Sequence, residues 1–221
     1  MTQFETLGLR AVIFDMDGLL FDTEALYLEA WPHVGRQMGF PVTTEVARTT
    51  LSRPIEELEA IFQSHYGPGF TKEKALPHMA EWLRARIDRD GMPIRPGVHA
   101  LLARLRQLNI PFAMGTSNRS HVARAYLERA ELSHYFDIIV GGDMVDYAKP
   151  APDIFLLAAE RLGVAPGECL VFEDSPVGVL AAHRAGCVPV MVPDLLEPDP
   201  ETLDRAWRVL ESLEEAPDLL F

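Results

Sequence analysis

From about residue 97 to residue 192, short apolar runs alternate with helical patterns, and no other feature of the chain restricts its fold as tightly. The runs are 111–114, 138–140, 170–172 and 188–192, with 11–14 as a fifth ahead of them. Each is five residues or fewer, near-continuously apolar and bounded by Gly, Asp or Pro. Strands buried on both faces of a parallel sheet have that pattern. In "GVHALLARLRQLN" the residues Val98, Leu101, Leu102, Leu105 and Leu108 recur at helical spacing and predict one apolar face. "SHVARAYLERAEL", "DIFLLAAERLG" and "PVGVLAAHRAG" fill the next three gaps, the last two closing at Gly163 and Gly186 as helix C-termini do. The alternation predicts an α/β fold with a doubly wound, parallel-sheet, Rossmann-like core.

Residues 21–92 interrupt this order. They carry helical patterns ("TEALYLEAWPHVGRQMG", "IEELEAIFQSHYG", "KALPHMAEWLRARIDRDG") and no convincing strand. "DGMPIRPG", dense in Gly and Pro, reads as the return linker. The expected organisation is a core of residues 1–20 and 93–221 with an inserted all-helical cap domain, 21–92. A chain of 221 residues is long enough for both.

The net charge of −13 argues against a nucleic-acid partner, whose phosphates demand a basic footprint. It leaves room for a small phosphorylated ligand, since one Lys or a metal ion supplies local positive charge. No apolar run approaches the ~18 residues of a membrane span, so no membrane partner is expected. The first residues lack a secretory pattern. Cys169 and Cys187, the only cysteines, lie in apolar stretches and read as small core residues of a reducing compartment. The expected address is the cytoplasm, and the expected state a monomer or weak dimer.

Polar residues gather where the apolar runs end. The first run passes into Asp15-Met16-Asp17-Gly18, the second into Gly115-Thr116-Ser117-Asn118. After the third comes "GGDMVDYAKPAPD" with Lys149, and the fourth ends in Glu173-Asp174-Ser175. Buried carboxylates are costly unless something pairs with them. In open α/β sheets ligands bind outside the carboxyl ends of the strands, so four loops would converge on one crevice. These residue types suit phosphoryl transfer. Asp15 can attack phosphorus to form an aspartyl-phosphate, and Asp17 can protonate the leaving oxygen and then deprotonate water. Gly18 permits a tight turn. Asp15, Asp174, Glu173 and Asp17 offer oxygen ligands to Mg²⁺, the expected cofactor. Lys149 can hold Asp15 and the phosphoryl group together. The Thr116 hydroxyl and the amides of Ser117 and Asn118, leading into a helix near Ser120, can cradle phosphate oxygens.

"DMDGLLFDTE", "GTSN", "AKPAPDIF" and "VFEDSPVGVLAAHRAG" resemble, in order, the four motifs of the haloacid dehalogenase-like hydrolase superfamily. The resemblance covers essentially the whole core, and the insert resembles the cap of the subgroup that carries it between the first and second motifs. It implies a nucleophile at Asp15, an acid/base at Asp17, phosphoryl binding by Thr116 and Lys149, and Mg²⁺ positioned by Glu173 with Asp174. Within the superfamily the chain is similar to the β-phosphoglucomutase and sugar-phosphatase group, with some similarity to pseudouridine-5'-phosphatases. The implied function is Mg²⁺-dependent hydrolysis of a small phosphorylated metabolite of sugar-phosphate or nucleotide type.

Competing readings are specific. A β-phosphoglucomutase-type phosphomutase carries a His on the first cap helix, and Tyr27 stands at the matching position. A phosphonatase wants a Schiff-base Lys in the cap, where only Lys72 and Lys74 are candidates, both in polar context. A non-catalytic metabolite-binding module would have lost Asp15 or Lys149, and both are present. Arg53, ahead of a predicted cap helix, is a substrate-contact candidate or a surface residue. Tyr27 and Trp31, at i and i+4, are pocket wall or cap core. The seven histidines show no zinc-ligand spacing.

Overall fold

The computed structural model describes residues 3–51, 53 and 55–220. It contains a six-stranded sheet made of β1 (Ala11–Phe14), β2 (Phe112–Gly115), β3 (Ile139–Val140), β4 (Cys169–Glu173), β5 (Val188–Met191) and β6 (Arg208–Val209). The order is β3-β2-β1-β4-β5-β6 and every pairing is parallel. The fold is therefore the doubly wound α/β sheet that the alternation predicts. The direction of winding reverses between β1 and β4, the place where such sheets open a crevice.

Side chains alternate across the sheet with a period of two. Ile13, Ala113 and Val171 join Ile154, Phe155 and Ala158 of the helix Asp153–Leu162, and Ala181 and Ala182 of the helix Pro176–Arg184. On the adjoining positions Phe14 stacks on Phe172 with ring centroids 5.5 Å apart and meets Phe112 and Phe136 edge-on. Cys169 and Cys187 are buried free thiols within the apolar core. The helix Val98–Gln107 buries Val98, Leu101, Leu102 and Leu105. Leu108 does not share that face. The helix ends before it, Asn109 takes a left-handed φ of 54°, and Leu108 is exposed.

β6 has no counterpart among the predicted runs. It is an edge strand of two exposed residues, defined only by its pairing of Arg208 with Val190 and Val209 with Met191. β1 coincides with its run, and β2 to β5 begin or end a residue or two from theirs, because ladder pairing and not hydrophobicity sets where a strand stops. Glu173, for example, is the last residue of β4 because it pairs with Met191.

The chain divides into two compact units, one of Met1–Phe21 with Ile94–Phe221 and one of Asp22–Pro93. The second is the inserted all-helical cap domain, with helices Thr23–Met38, Thr44–Arg48, Ile55–Tyr66 and Lys72–Asp90. Trp31, Phe62 and Phe70 form its aromatic centre, with the Trp31 and Phe62 centroids 4.4 Å apart and the Phe62 and Phe70 centroids 4.5 Å apart. Trp31 is thus cap core. No helix among the described residues is long and apolar enough to cross a membrane.

Candidate active site

Strand register brings the site residues side by side. Phe14 pairs with Phe172 and with Met114, so Asp15 lies next to Glu173 on one side and Gly115 on the other. The Asp15 amide donates to the Phe172 carbonyl at 3.0 Å, which carries the ladder one residue past β1. By strand alternation Asp15 shares a face with Ile13. Lys149 reaches this face, its Nζ 4.7 Å above the Phe155 ring.

The Lys149 ammonium spends its three donors within the site. It donates to Asp15 Oδ1 at 2.5 Å, to Glu173 Oε1 at 2.7 Å and to the Gly115 carbonyl at 3.0 Å. Asp15, Lys149, Glu173 and Asp174 are all buried, none more than 6% exposed. The other oxygen of Glu173 accepts from the Ser175 amide and hydroxyl, each at 3.0 Å. Ser175 caps the helix Pro176–Arg184, its Oγ accepting from the Gly178 amide at 3.1 Å. Both Glu173 oxygens are therefore engaged, one by the ammonium and one by the helix start. Gly178 must be glycine for this to hold, because a Cβ there would lie 1.7 Å from Glu173 Oε1.

Burial is the main influence on Asp15. It pushes the carboxyl up, Lys149 pulls it down, and Glu173 and Asp17 push it up again, leaving it at about 7. For Lys149 burial acts to lower the value, but Asp15 and Glu173 outweigh it and hold the ammonium above its ordinary range. It stays charged. One buried cation faces several carboxylates, so the site is short of positive charge.

A divalent cation fits that deficit. Oxygens of Asp15, Glu173 and Asp174 all lie within 4.8 Å of one another, an all-oxygen donor set of the kind hard cations take. Asp17 is not in that group. Its Oδ2 accepts from Asn118 Nδ2 at 2.9 Å, and the Asn118 amide donates to Thr116 Oγ1 at 3.0 Å. Thr116 is buried and Ser117 is exposed. Thr116 thus closes a local turn and does not cap the following helix, and the Asn118 side chain is an orienting partner of Asp17. Gly18 turns the chain after Asp17 with a φ of 79°, and a Cβ on it would lie 2.2 Å from Asp174 Oδ2.

Three residues near these loops carry no sequence signature of a role. Asp194, after β5, buries its side chain, and its Oδ1 pairs with Arg95 Nη1 at 2.5 Å. The Arg95 amide donates to the Leu20 carbonyl, tying this pair to the turn that follows Asp17. Asp143, after β3, grips Ser120 at the start of the helix Ser120–Arg129. Only the position of each residue after a strand or linker hinted at it. Of the other candidates, Arg53 belongs to the cap and is exposed, paired with Glu57 at 3.0 Å. Tyr27 is half-buried on the first cap helix.

The model of the haloacid dehalogenase-like hydrolase family matches residues 9–186. The chain is 38% identical over 178 residues to a phosphorylated carbohydrates phosphatase of Thermotoga maritima, covering 80% of this chain and 82% of that one. It is 34% identical over 179 residues to a fructose-1-phosphate phosphatase of Escherichia coli, covering 79% and 92%. A solved β-phosphoglucomutase of Clostridium difficile superposes with a TM-score of 0.75 at 26% identity, covering 94% of this chain and 92% of that one. The matched span runs through all four strand-end loops, and on that ground the chain belongs to the haloacid dehalogenase-like hydrolase family.

Proposed function

We propose that the chain is a phosphatase that hydrolyses a small phosphorylated metabolite, of sugar-phosphate or nucleotide type, through an aspartyl-phosphate on Asp15. The observation that carries this reading is the Lys149 ammonium held between Asp15 and Glu173, with Asp17 two residues on in the same loop. Asp15 attacks phosphorus, a new oxygen–phosphorus bond forms to its carboxylate, and the ester bond breaks. Asp17 passes its proton to the leaving oxygen. Lys149 through its charge, the Thr116 hydroxyl and the Ser117 amide hold the phosphoryl oxygens, whereas the Asn118 amide, expected to join them, is taken up by Thr116 Oγ1. Asp17 then takes a proton from water, water attacks phosphorus, and Asp15 is regenerated with release of inorganic phosphate.

Mg²⁺, when bound, supplies the positive charge that lets anionic groups approach one another. Asp15 and Asp174 would hold it, while Glu173, with both oxygens engaged, acts chiefly by placing Lys149. The sugar-phosphate class draws support from the two phosphatase relatives. We assign the choice among substrates to the helical cap. A cytoplasmic setting, which keeps thiols such as Cys169 and Cys187 reduced, belongs to the same reading.

Incubated with p-nitrophenyl phosphate and Mg²⁺, the protein is expected to release phosphate, and both EDTA and Asp15→Asn to abolish the release. Equal turnover by wild type and Asp15→Asn overturns the mechanism. The likeness to β-phosphoglucomutase supports one second reading, a phosphomutase. Activation by a sugar bisphosphate with no net phosphate release would favour it.

A further inference from the structure

We infer that Asp143, with Gly141 and Gly142, is a positioning clamp that holds Asn118 and through it the proton-transferring carboxylate of Asp17. The inference rests on the phosphatase reading above. Asp143 is not a catalytic residue, since it touches Ser120 and not the reacting groups.

The clamp is a short turn, Gly142–Met144, directly after β3. Asp143 Oδ1 accepts from the Ser120 amide at 2.7 Å and its Oδ2 from the Ser120 hydroxyl at 2.9 Å. It does so at the N-terminus of a ten-residue helix whose own N-cap residue, Arg119, offers no side-chain cap. Chiefly through the Ser120 amide, these bonds hold the Asp143 carboxyl below its ordinary range, so the grip persists into mild acid. One residue earlier, the Gly142 amide donates to the Asn118 carbonyl at 2.8 Å. The two loops meet backbone to backbone. A Cβ on Gly141 would lie 2.4 Å from the Ser120 amide nitrogen, and one on Gly142 would lie 2.5 Å from the Ser117 carbonyl.

Asn118 is thus fixed at both ends of its backbone, its carbonyl by Gly142 and its amide by Thr116 Oγ1. With its backbone placed, its side chain reaches Asp17 Oδ2 at 2.9 Å. The line of contact runs from Asp143 through the 117–120 loop to the carboxylate that must meet the leaving oxygen. Small displacements of such a group cost large factors in rate.

The test uses two esters of the same shape. p-Nitrophenolate leaves with little need of a proton, whereas phenolate, the more basic leaving group, depends on one. In Mg²⁺ buffer, Asp143→Ala is expected to lower kcat/KM for phenyl phosphate about tenfold and for p-nitrophenyl phosphate by less than about threefold, a part of what general acid catalysis supplies. Asp143→Asn keeps an oxygen for the Ser120 amide and is expected to recover most of the loss. Gly142→Ala, which forces the loops apart, is expected to repeat the selective defect, with thermal melts confirming that each variant folds. Equal losses on both esters, or no loss on either, overturns the clamp. Wild-type protein that hydrolyses neither ester sinks the phosphatase reading itself.

Discussion

Lys149 sets the electrostatics of the site. Its three donors join the end of β1, the end of β2 and the end of β4, so one ammonium ties three strands at the point where phosphate chemistry is proposed. Even so, Asp15 sits at about 7 against 3.8 for a free carboxyl. A carboxyl whose value is raised by folding favours the native state fully below its free value. That contribution is lost as pH rises through about 7. Lys149 titrates far above this window and does not contribute to the slope. Metal-free wild type is therefore expected to lose stability relative to Asp15→Asn between pH 5 and pH 8. The difference is on the order of 2 kcal/mol, or about 4–8 °C in Tm for a chain of this length. Thermal melts of the two proteins in EDTA check it, and a constant gap across the range contradicts it. Added Mg²⁺ is expected to raise the Tm of wild type and to do little for Asp15→Asn.

The elements matter through their ends. β1 and β4 are adjacent because the sheet reverses its winding between them, and this adjacency makes neighbours of Asp15 and Glu173, which are far apart in the chain. The helix Pro176–Arg184 contributes its first turn, where Ser175 holds Glu173 and Gly178 leaves the room that its carboxylate occupies. Gly178→Ala tests this contact. The added methyl displaces Glu173 and loosens Lys149, while alanine suits the helix itself. Turnover of p-nitrophenyl phosphate is expected to fall about 10- to 100-fold, with a circular dichroism spectrum like that of wild type. Unchanged turnover means that the placement of Glu173 does not matter to the reaction.

In the molecule as a whole, the cap enters and leaves the chain at neighbouring points. The Asp22 amide donates to the Pro93 carbonyl at 2.9 Å, and Phe21 bridges to Ile94 in antiparallel fashion. A short Gly-Ser linker can therefore replace the cap without stretching the core. Such a protein is expected to keep a cooperative melt and hydrolyse p-nitrophenyl phosphate, while losing preference among a panel of sugar and nucleotide phosphates. Retained preference would move substrate choice into the core.

What the chain discloses unaided is local. Apolar runs bounded by Gly, Asp and Pro, with helical spacing between them, are enough to predict five of the six strands, the parallel sheet and the insert. The acidic and hydroxyl-bearing residues at the run ends mark the loops that come together. β6 escaped because two exposed residues leave no hydrophobic trace, and Leu108 misled because periodicity does not register a backbone that turns left-handed one residue later. Only the tertiary structure decided how the site is wired. Asn118 orients Asp17, Glu173 stands between Lys149 and Ser175, Arg95 meets Asp194, and Asp143 grips Ser120. Each of these bonds except that to Ser175 joins segments far apart in the chain. Their partners are chosen by strand register and by which loops the fold brings within about 3 Å, a distance no local pattern encodes.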